Sequence, residues 1–333
     1  MLREEAGYSL AQPAAIALTG GTGALGVHVI QHLLASTAIP IRLLVHRTQL
    51  PRRLEHPRIA AVHGSLLDLD SLRAWAVPGA AIIHLAWSSS MSADDHDRSV
   101  THLAEAAVQA RVTRFVHCST AVVAGRTRER VVSENTACKP ANAYERGKYA
   151  LELALESAAA GRFPLAIVRP TAIFGPGLQN VVALIESLRK GRGAVNYVRS
   201  ALFGHRHLHL VPVETVAEAL TFLALGRDTE NAKKRCVRYI VSTDDEPGGR
   251  FNEVESRLRR ELKLKSAPLI VPVPSWILRC ALTLSGRSDT DPYRIYDASR
   301  LQAAGFRPTV SLVSALDAYA AWYRAQSSAT GAP

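Results

Sequence analysis

The sequence predicts an open α/β fold: a doubly wound parallel sheet followed by a smaller C-terminal lobe. Three observations predict it. A short apolar run, Ala14 to Leu18, enters a glycine-rich turn and then the helical pattern Val27, Ile30, Leu33, Leu34. Strand-like runs alternate with helical patterns through the first 170 residues, and beyond Pro170 this regularity gives way to short, proline-punctuated elements. Repeated strand-helix alternation implies parallel strands joined by right-handed crossovers.

The first strand ends in Leu18-Thr19-Gly20-Gly21-Thr22-Gly23-Ala24-Leu25-Gly26. Gly20 can turn with positive φ, Gly23 lets backbone approach a pyrophosphate, and Gly26 lets the helix pack closely on its strand. Ala24 and Leu25 open the helix, whose free amides face the phosphates. The second strand, Ile41 to Val45, leads into His46-Arg47. In dinucleotide folds an acid in this region binds the adenosine ribose, whereas an arginine accommodates a 2′-phosphate. Arg47, with Arg52 and Arg53 nearby and no acid before Glu55, favours NADP(H) over NAD(H); the alternative is a surface arginine at a strand end.

The third strand, Ile59 to Val62, runs into Gly64-Ser65-Leu66-Leu67-Asp68, and the fourth, Ala80 to Leu85, into Ala86-Trp87. A helix over Val100 to Ala110 precedes the fifth strand, Arg114 to Cys118, which ends in Ser119-Thr120. A hydroxyl there can hydrogen-bond a substrate oxygen; the alternative is a polar strand end capping a turn. A helix from Tyr144 to Ala160 then precedes a strand at Leu165 to Val168. Tyr144 and Lys148 lie four apart and share a face of that helix. A neighbouring ammonium favours phenolate, bringing a group with a pKa near 10 closer to its working range. In such sheets ligands bind outside the carboxyl ends of the strands, where all these motifs fall.

The domain division expected is residues 13–175 for the dinucleotide-binding domain, with a return over roughly 208–225, and 176–333 mainly for the substrate lobe. Pro176, Pro212, Pro247, Pro272, Pro274, Pro292 and Pro308 punctuate that lobe. A chain of 333 residues is long for one core, which also suggests two lobes.

Composition narrows the function. Hydrophobic residues make up 47% of the chain, yet no run approaches the ~18 apolar residues of a membrane span. The start, with Glu4 and Glu5 and no apolar core segment, reads as a loosely attached arm rather than a secretory signal, so a soluble cytoplasmic protein is expected. Net charge is +11, but no Lys/Arg block is interleaved with aromatics, so nucleic acid is not the expected partner. The charge suits a phosphorylated cofactor and an anionic substrate. Cys118, Cys138, Cys236 and Cys280 form no CxxC pair and no metal-ligand spacing with histidine.

Taken together, these motifs resemble the extended short-chain dehydrogenase/reductases of the NAD(P)-dependent epimerase/dehydratase family, which are built on a Rossmann-type sheet. The glycines match the family's TGxxGxxG turn, and Ala81 to Ala86 resembles its fourth-strand segment beside the cofactor. Arg169-Pro170-Thr171-Ala172-Ile173-Phe174-Gly175-Pro176-Gly177 resembles its RPxxVYGPG loop, and Val213 to Ala217 its V-x-D-V-A segment. Ser299-Arg300-Leu301 with Gly305 to Pro308 resembles its C-terminal end.

The resemblance implies Thr120 as the catalytic hydroxyl, with Ser119 as second choice, Tyr144 as the proton-transfer group, and Lys148 tuning Tyr144 while binding ribose. It further implies cofactor contacts from Gly20, Gly23, Ala24, Leu25, Gly26, Arg47, Ser65, Leu66, Leu85, Ala86 and Pro170, and a homodimer formed through paired helices. Family dehydratases carry an Asp-Glu pair after the catalytic Thr, where this chain has Ala121 and Val122, so dehydration is not expected. Ser65 replaces the acid that usually contacts adenine. Trp87 stands where the family often has a small residue and either narrows the nicotinamide pocket or packs in the core.

The second lobe yields Asn180 and Arg206 as substrate-binding candidates, Arg206 for a phosphate. Lys190, Arg192, Asn196 and Arg199 are further polar candidates. His205, His207 and His209 alternate, as on one face of a strand, but without the carboxylate of an open zinc site no metal is expected. The function expected is a nucleotide-sugar 4-ketoreductase or 4-epimerase. The alternatives are a carbonyl reductase or hydroxysteroid-dehydrogenase-like enzyme on an apolar alcohol, and a non-catalytic dinucleotide sensor, which would typically lack Tyr144 or Lys148.

Overall fold

A computed structural model describes residues 12–47, 50–191, 193–228, 236–265, 273–274, 276–277, 284, 291 and 293–329. The expected N-terminal arm up to residue 11, Arg192, Cys280, Pro272 and Pro292 lie outside the described residues.

Strands β1 (Ile16–Thr19), β2 (Ile41–Val45), β3 (Ile59–His63), β4 (Ala81–His84) and β5 (Arg114–Cys118) alternate with helices α1 (Ala24–Ser36), α2 (Leu69–Trp75) and α3 (Ala93–Gln109). Next come β6 (Val131–Val132), α4 (Ala143–Ala159), β7 (Leu165–Pro170), β8 (Ala172–Phe174), α5 (Val182–Arg189), α6 (Gly193–Phe203), β9 (Leu210–Pro212) and α7 (Val213–Ala224). The chain finishes with β10 (Cys236–Val241), α8 (Phe251–Glu261), β11 (Ile295–Tyr296), α9 (Ser299–Ala303) and α10 (Leu312–Ala329).

Seven strands form a parallel sheet in the order β10-β7-β5-β4-β1-β2-β3. This is the Rossmann-type doubly wound sheet expected. Strands β1, β4, β5 and β7 are buried along their whole length, as parallel strands covered on both faces must be. On one face Val29, Ile30 and Leu33 of α1 join Val216 and Leu220 of α7 over Leu18 and Val116. On the other, Leu72 and Trp75 of α2, Leu103 of α3 and Leu155 of α4 cover Ile82, Phe115 and Ile167.

Strand order reverses between β1 and β4, whose last residues, Thr19 and His84, are in register. A crevice opens at such a reversal. Its wall continues through His84 opposite His117 and Cys118 opposite Val168, so the turns after β1, β4, β5 and β7 emerge at one level.

Helix α7 packs on α1 and the sheet, within the segment read as a return to the large domain. Strand β10 is a second return that the sequence reading did not include: it pairs with β7 from Cys236 opposite Leu165 to Val241 opposite Pro170. The smaller lobe has its own core, with Phe174, Ile185 and Leu188 against Val254, Leu258, Leu316 and Tyr319. Two short parallel pairs, β8 with β9 and β6 with β11, connect it to the mouth of the crevice.

Candidate active site

The glycine turn shows why these positions lack side chains. Gly20 has φ +71°, and a Cβ there would lie 2.8 Å from the Ala86 nitrogen. A Cβ on Gly26 would lie 2.3 Å from the Gly20 carbonyl oxygen, so the first turn of α1 can rest on the loop only with glycine. Gly23 is the N-cap residue of α1 and contributes no side-chain capping bond, and the first turn carries no acid. The α1 amides and the positive end of the helix dipole are therefore arranged for an anion. Above them, His28 Nε2 and the Pro176 carbonyl oxygen are 3.0 Å apart, which joins α1 to the loop after β8.

A cleft of about 270 Å³ runs from this turn, lined among others by Gly20, Thr22, His46, Ser65, Leu66, Ala86 and Trp87. Ser65, Leu66 and Ala86, three of the expected cofactor contacts, line this cleft, and Ser65 Oγ accepts a hydrogen bond from the Leu67 amide at 3.2 Å. Leu85 packs partly into the core beneath. Arg47 sits in the exposed bend after β2, and the lining residue there is His46, which sequence reasoning passed over.

Tyr144 and Lys148 are placed by the cap of α4. The Asn142 side chain accepts from the Glu145 amide at 2.9 Å, and Glu145 in turn accepts from the Ala141 amide at 2.6 Å. Further along, the buried Glu152 carboxylate grips Arg169 of β7 through Nε at 3.0 and 3.2 Å and Nη2 at 2.5 Å. The helix is thus tied at both ends of the segment that carries the pair.

Thr120 caps the single helical turn Ala121–Ala124, accepting from the Val122 amide at 3.5 Å, and hydrogen-bonds the Tyr144 side chain. Ser119 is buried, and its Oγ has no hydrogen-bond partner among the described residues. Lys148 Nζ donates to the Cys118 carbonyl oxygen at 3.3 Å and lies 5.3 Å from the centroid of Trp87. The Trp87 ring meets Tyr144 edge-on at 5.1 Å. The indole therefore stands beside both residues of the pair, and it lines the narrower cleft.

Burial pushes the Tyr144 phenol up from its usual value, Cys118 adds to the shift, and the bond to Thr120 opposes it. Burial also lowers the Lys148 pKa, against upward pulls from Cys118 and Glu152. Lys148 is not among the groups that shift Tyr144 here; its ammonium meets the Cys118 carbonyl and the Trp87 ring.

A second, larger cleft of about 610 Å³ opens on the other side of Tyr144. Ser119, Thr120, Val122, Tyr144, Pro170, Asn180, Arg206, Leu208, His209 and Tyr296 line it, so both substrate-binding candidates face the catalytic candidates. Pro170 lines this cleft and not the narrower one. Asn180 Nδ2 donates to the Ile173 carbonyl oxygen at 2.6 Å. The other polar candidates have different places. Asn196 is buried and bonded to Ser187, Lys190 is exposed beside Glu186, and Arg199 is half-buried.

The alternating histidines do not share one strand face. Strand β9 begins only at Leu210, and His209 has φ +51°, which breaks any extended run. His205 is exposed, whereas His207 and His209 stack with ring centroids 6.2 Å apart. Sequence reasoning missed Asp244, whose Oδ2 accepts from His209 Nδ1 at 2.6 Å. Thirty-five residues separate the two, and no local signal joins them.

The pattern of the NAD-dependent epimerase/dehydratase family matches residues 16–233. The chain belongs to that family. An uncharacterised protein of Sinorhizobium fredii, y4nG, is 27% identical over 176 residues, which cover 50% of this chain and 43% of that protein. The chain thus spans less than half the length of this curated relative. Among solved structures, a candidate epimerase from Burkholderia cenocepacia is similar at 23% identity and a TM-score of 0.70, covering 95% of this chain and 100% of that one. The dTDP-glucose 4,6-dehydratase DesIV of Streptomyces venezuelae, with NAD bound, is similar at 21% identity and a TM-score of 0.69, covering 94% and 98%. The UDP-glucose 4-epimerase of Thermotoga maritima, with UDP-glucose, is similar at 18% identity and a TM-score of 0.67, covering 94% and 99%. These likenesses establish the fold. No helix of the described residues is long and apolar enough to cross a membrane.

Proposed function

We propose that this protein is an oxidoreductase that uses NADP(H) in preference to NAD(H) and acts on a nucleotide sugar, as a 4-ketoreductase or a 4-epimerase. One observation carries the reading: Thr120, Tyr144 and Lys148 stand together between the narrower cleft beside the glycine turn and the larger cleft. A bound nicotinamide cofactor would supply or accept hydride. Residues of this chain do the rest. Thr120 orients the substrate oxygen, Tyr144 gives a proton to it or takes one from it, and Lys148 serves the ribose side of the site.

The α1 amides with Gly20 and Gly23 hold the pyrophosphate, Ser65, Leu66 and Ala86 border the adenosine, and Arg47 supplies the 2′-phosphate contact. Arg206 and Asn180 contact the diphosphate and sugar. Ala121 and Val122 offer no acid or base beside Thr120, which supports reduction or epimerisation over dehydration. Similar proteins bind related ligands: WbmG of Bordetella bronchiseptica was solved with NAD and UDP, and MoeE5 with UDP-glucuronic acid and NAD. A cytoplasmic homodimer paired through α4 and its neighbour α3 completes the reading, and light scattering on the eluting protein tests the dimer.

A second reading has its own support. Val122, Ile173, Leu178, Leu208 and Tyr296 give the larger cleft an apolar side, which suits a carbonyl reductase for an apolar alcohol. Fluorescence titration with NADPH and NADH, followed by thermal unfolding with UDP, GDP and dTDP, separates the two. Tighter NADPH binding and a stabilising shift from one diphosphate support the nucleotide-sugar enzyme. No shift from any of them removes its basis and leaves the apolar alcohol.

A further inference from the structure

We propose that the larger cleft takes a nucleotide-linked acidic sugar, a uronate, whose carboxylate is met by a cationic margin built from Arg126, Lys139 and Arg146. The inference names the substrate class of the site proposed above and rests on the nucleotide-sugar reading.

The margin is the segment that joins β5 to α4. Its residues Gly125 and Asn142 line the cleft beside Thr120 and Tyr144, whereas Asn180, Arg206 and Leu208 line it from the smaller lobe. Two backbone bonds lock the margin: the Arg126 amide donates to the Lys139 carbonyl oxygen at 2.9 Å, and the Lys139 amide to that of Ala124 at 3.0 Å. Arg146 follows Asn142 by one turn of α4, and its Nη1 donates to the Ala141 carbonyl oxygen at 2.9 Å. Arg126, Arg128, Lys139 and Arg146 are exposed, and the first three make no side-chain hydrogen bond or ion pair among the described residues. The acids of the segment are turned elsewhere. Buried Glu145 accepts from the Ala141 amide and from Asn142 Nδ2, Glu134 accepts from the Ile240 amide and faces Arg300, and the Thr136 hydroxyl holds Glu129. Among the described residues no Asp or Glu lines the cleft, and Asn142 has both ends of its amide bonded to Glu145.

An anion at this edge meets several cations and no carboxylate, and the fields of those cations add. The geometry of a sugar brings an anion there. In a hexopyranose C4 stands across the ring from C1, and the C5 substituent projects past C4, away from a diphosphate on C1. With the diphosphate at Arg206 and C4 beside Thr120 and Tyr144, the sixth carbon extends toward Gly125 and Asn142. A methyl or hydroxymethyl group would leave Arg126 and Lys139 to water. A C6 carboxylate instead offers two acceptor oxygens, which a guanidinium meets as a fork and an ammonium as a point charge. Ala121 and Val122, which follow Thr120, add no acid that would repel it.

The test is a calorimetric titration of the whole protein with three matched pairs and their bare diphosphates: UDP-glucuronate against UDP-glucose, dTDP-glucuronate against dTDP-glucose, and GDP-mannuronate against GDP-mannose. In the pair whose base the protein accepts, the uronate should bind about tenfold tighter than the neutral sugar. That gap should close as salt is raised from about 50 to about 500 mM, because the cations are exposed. Combining Arg126→Gln with Lys139→Gln should bring the two sugars to within about twofold of each other. Far-UV circular dichroism and the urea midpoint check that this variant is folded. A diphosphate that binds while its uronate is held no more tightly than its neutral sugar, or a preference that survives the double variant, overturns the proposal and leaves the nucleotide-sugar reading standing. If neither the diphosphates nor their sugars bind, that reading falls and takes the proposal with it.

Discussion

Replacing Glu152 with Gln tests the buried ion pair with Arg169 that anchors α4, a pair to which Arg238 adds a longer contact at 3.7 Å. Glu152 is fully buried and Arg169 is 3% exposed, so neither charge is solvated when its partner is lost. Glutamine keeps the shape and one acceptor oxygen, but it removes the charge and turns an N–H donor toward the guanidinium. Losing one member of a buried pair costs about 3–5 kcal/mol, and the retained acceptor puts this variant near the lower end, at about 3 kcal/mol. Urea unfolding read by far-UV circular dichroism measures it as a shift of midpoint at constant slope. The double variant Glu152→Leu with Arg169→Met should recover most of the loss, because an apolar pair carries no unpaired charge. Tyr144 lies two turns before Glu152 on α4, so hydride-transfer activity should fall in the single variant and partly return in the double. A single-variant loss under about 1 kcal/mol, or a double variant no better than the single, would refute the view that this pair holds α4 in place.

Tyr144→Phe should keep the edge contact with Trp87 and cofactor affinity within a few-fold, while turnover drops about 10²–10⁴-fold, as steady-state kinetics would show. Gly26→Ala places a methyl against the backbone of Gly20 and Gly21. It should cost about 1–3 kcal/mol in unfolding and weaken dinucleotide binding in the same fluorescence titration. His84, pushed down to about 3 by burial and then by Lys148 and His96, stays neutral in the folded state while the unfolded chain takes up a proton below about pH 6.5. Stability is therefore whole above that pH and declines as pH falls toward 3, by about 3 kcal/mol at pH 4.5 from this group alone. Paired urea curves at pH 7.5 and 4.5 should show a smaller acid loss in His84→Asn than in the wild type, and an equal loss would contradict this assignment.

What the sequence made legible tracks how local each determinant is. Strands β2 and β5 begin and end where the sequence reading put them, because a parallel strand covered on both faces is mainly apolar, Arg42, Arg114 and His117 notwithstanding. Gly20 and Gly26 could be interpreted because steric exclusion leaves glycine alone at such contacts. Tyr144 and Lys148 could be paired because four residues return to the same helix face. Strand β10 was missed since its pairing with β7 spans some seventy residues, and a β-branched run there looks the same whether it joins the large sheet or the small lobe. Asp244, which accepts from His209 thirty-five residues earlier in the chain, was missed for the same reason. The histidine run misled through backbone conformation: alternation implies one strand face only while φ stays extended, and His209 does not.

The surroundings of Tyr144 bear on the choice between reductase and epimerase. A ketone reduction calls on the protonated phenol as an acid, whereas the oxidative half of an epimerisation calls on phenolate as a base. In this structure partial burial raises the phenol's pKa, and the bond to Thr120 opposes the shift. Lys148, which could reverse the balance, is drawn to the Cys118 carbonyl and the face of Trp87. The indole is the cause: a small residue at position 87 would remove the ring that the ammonium rests on and leave Tyr144 with one fewer apolar neighbour. Trp87, in contact with both Tyr144 and Lys148, therefore biases the pair toward donating a proton, the direction in which the proposed reductase works.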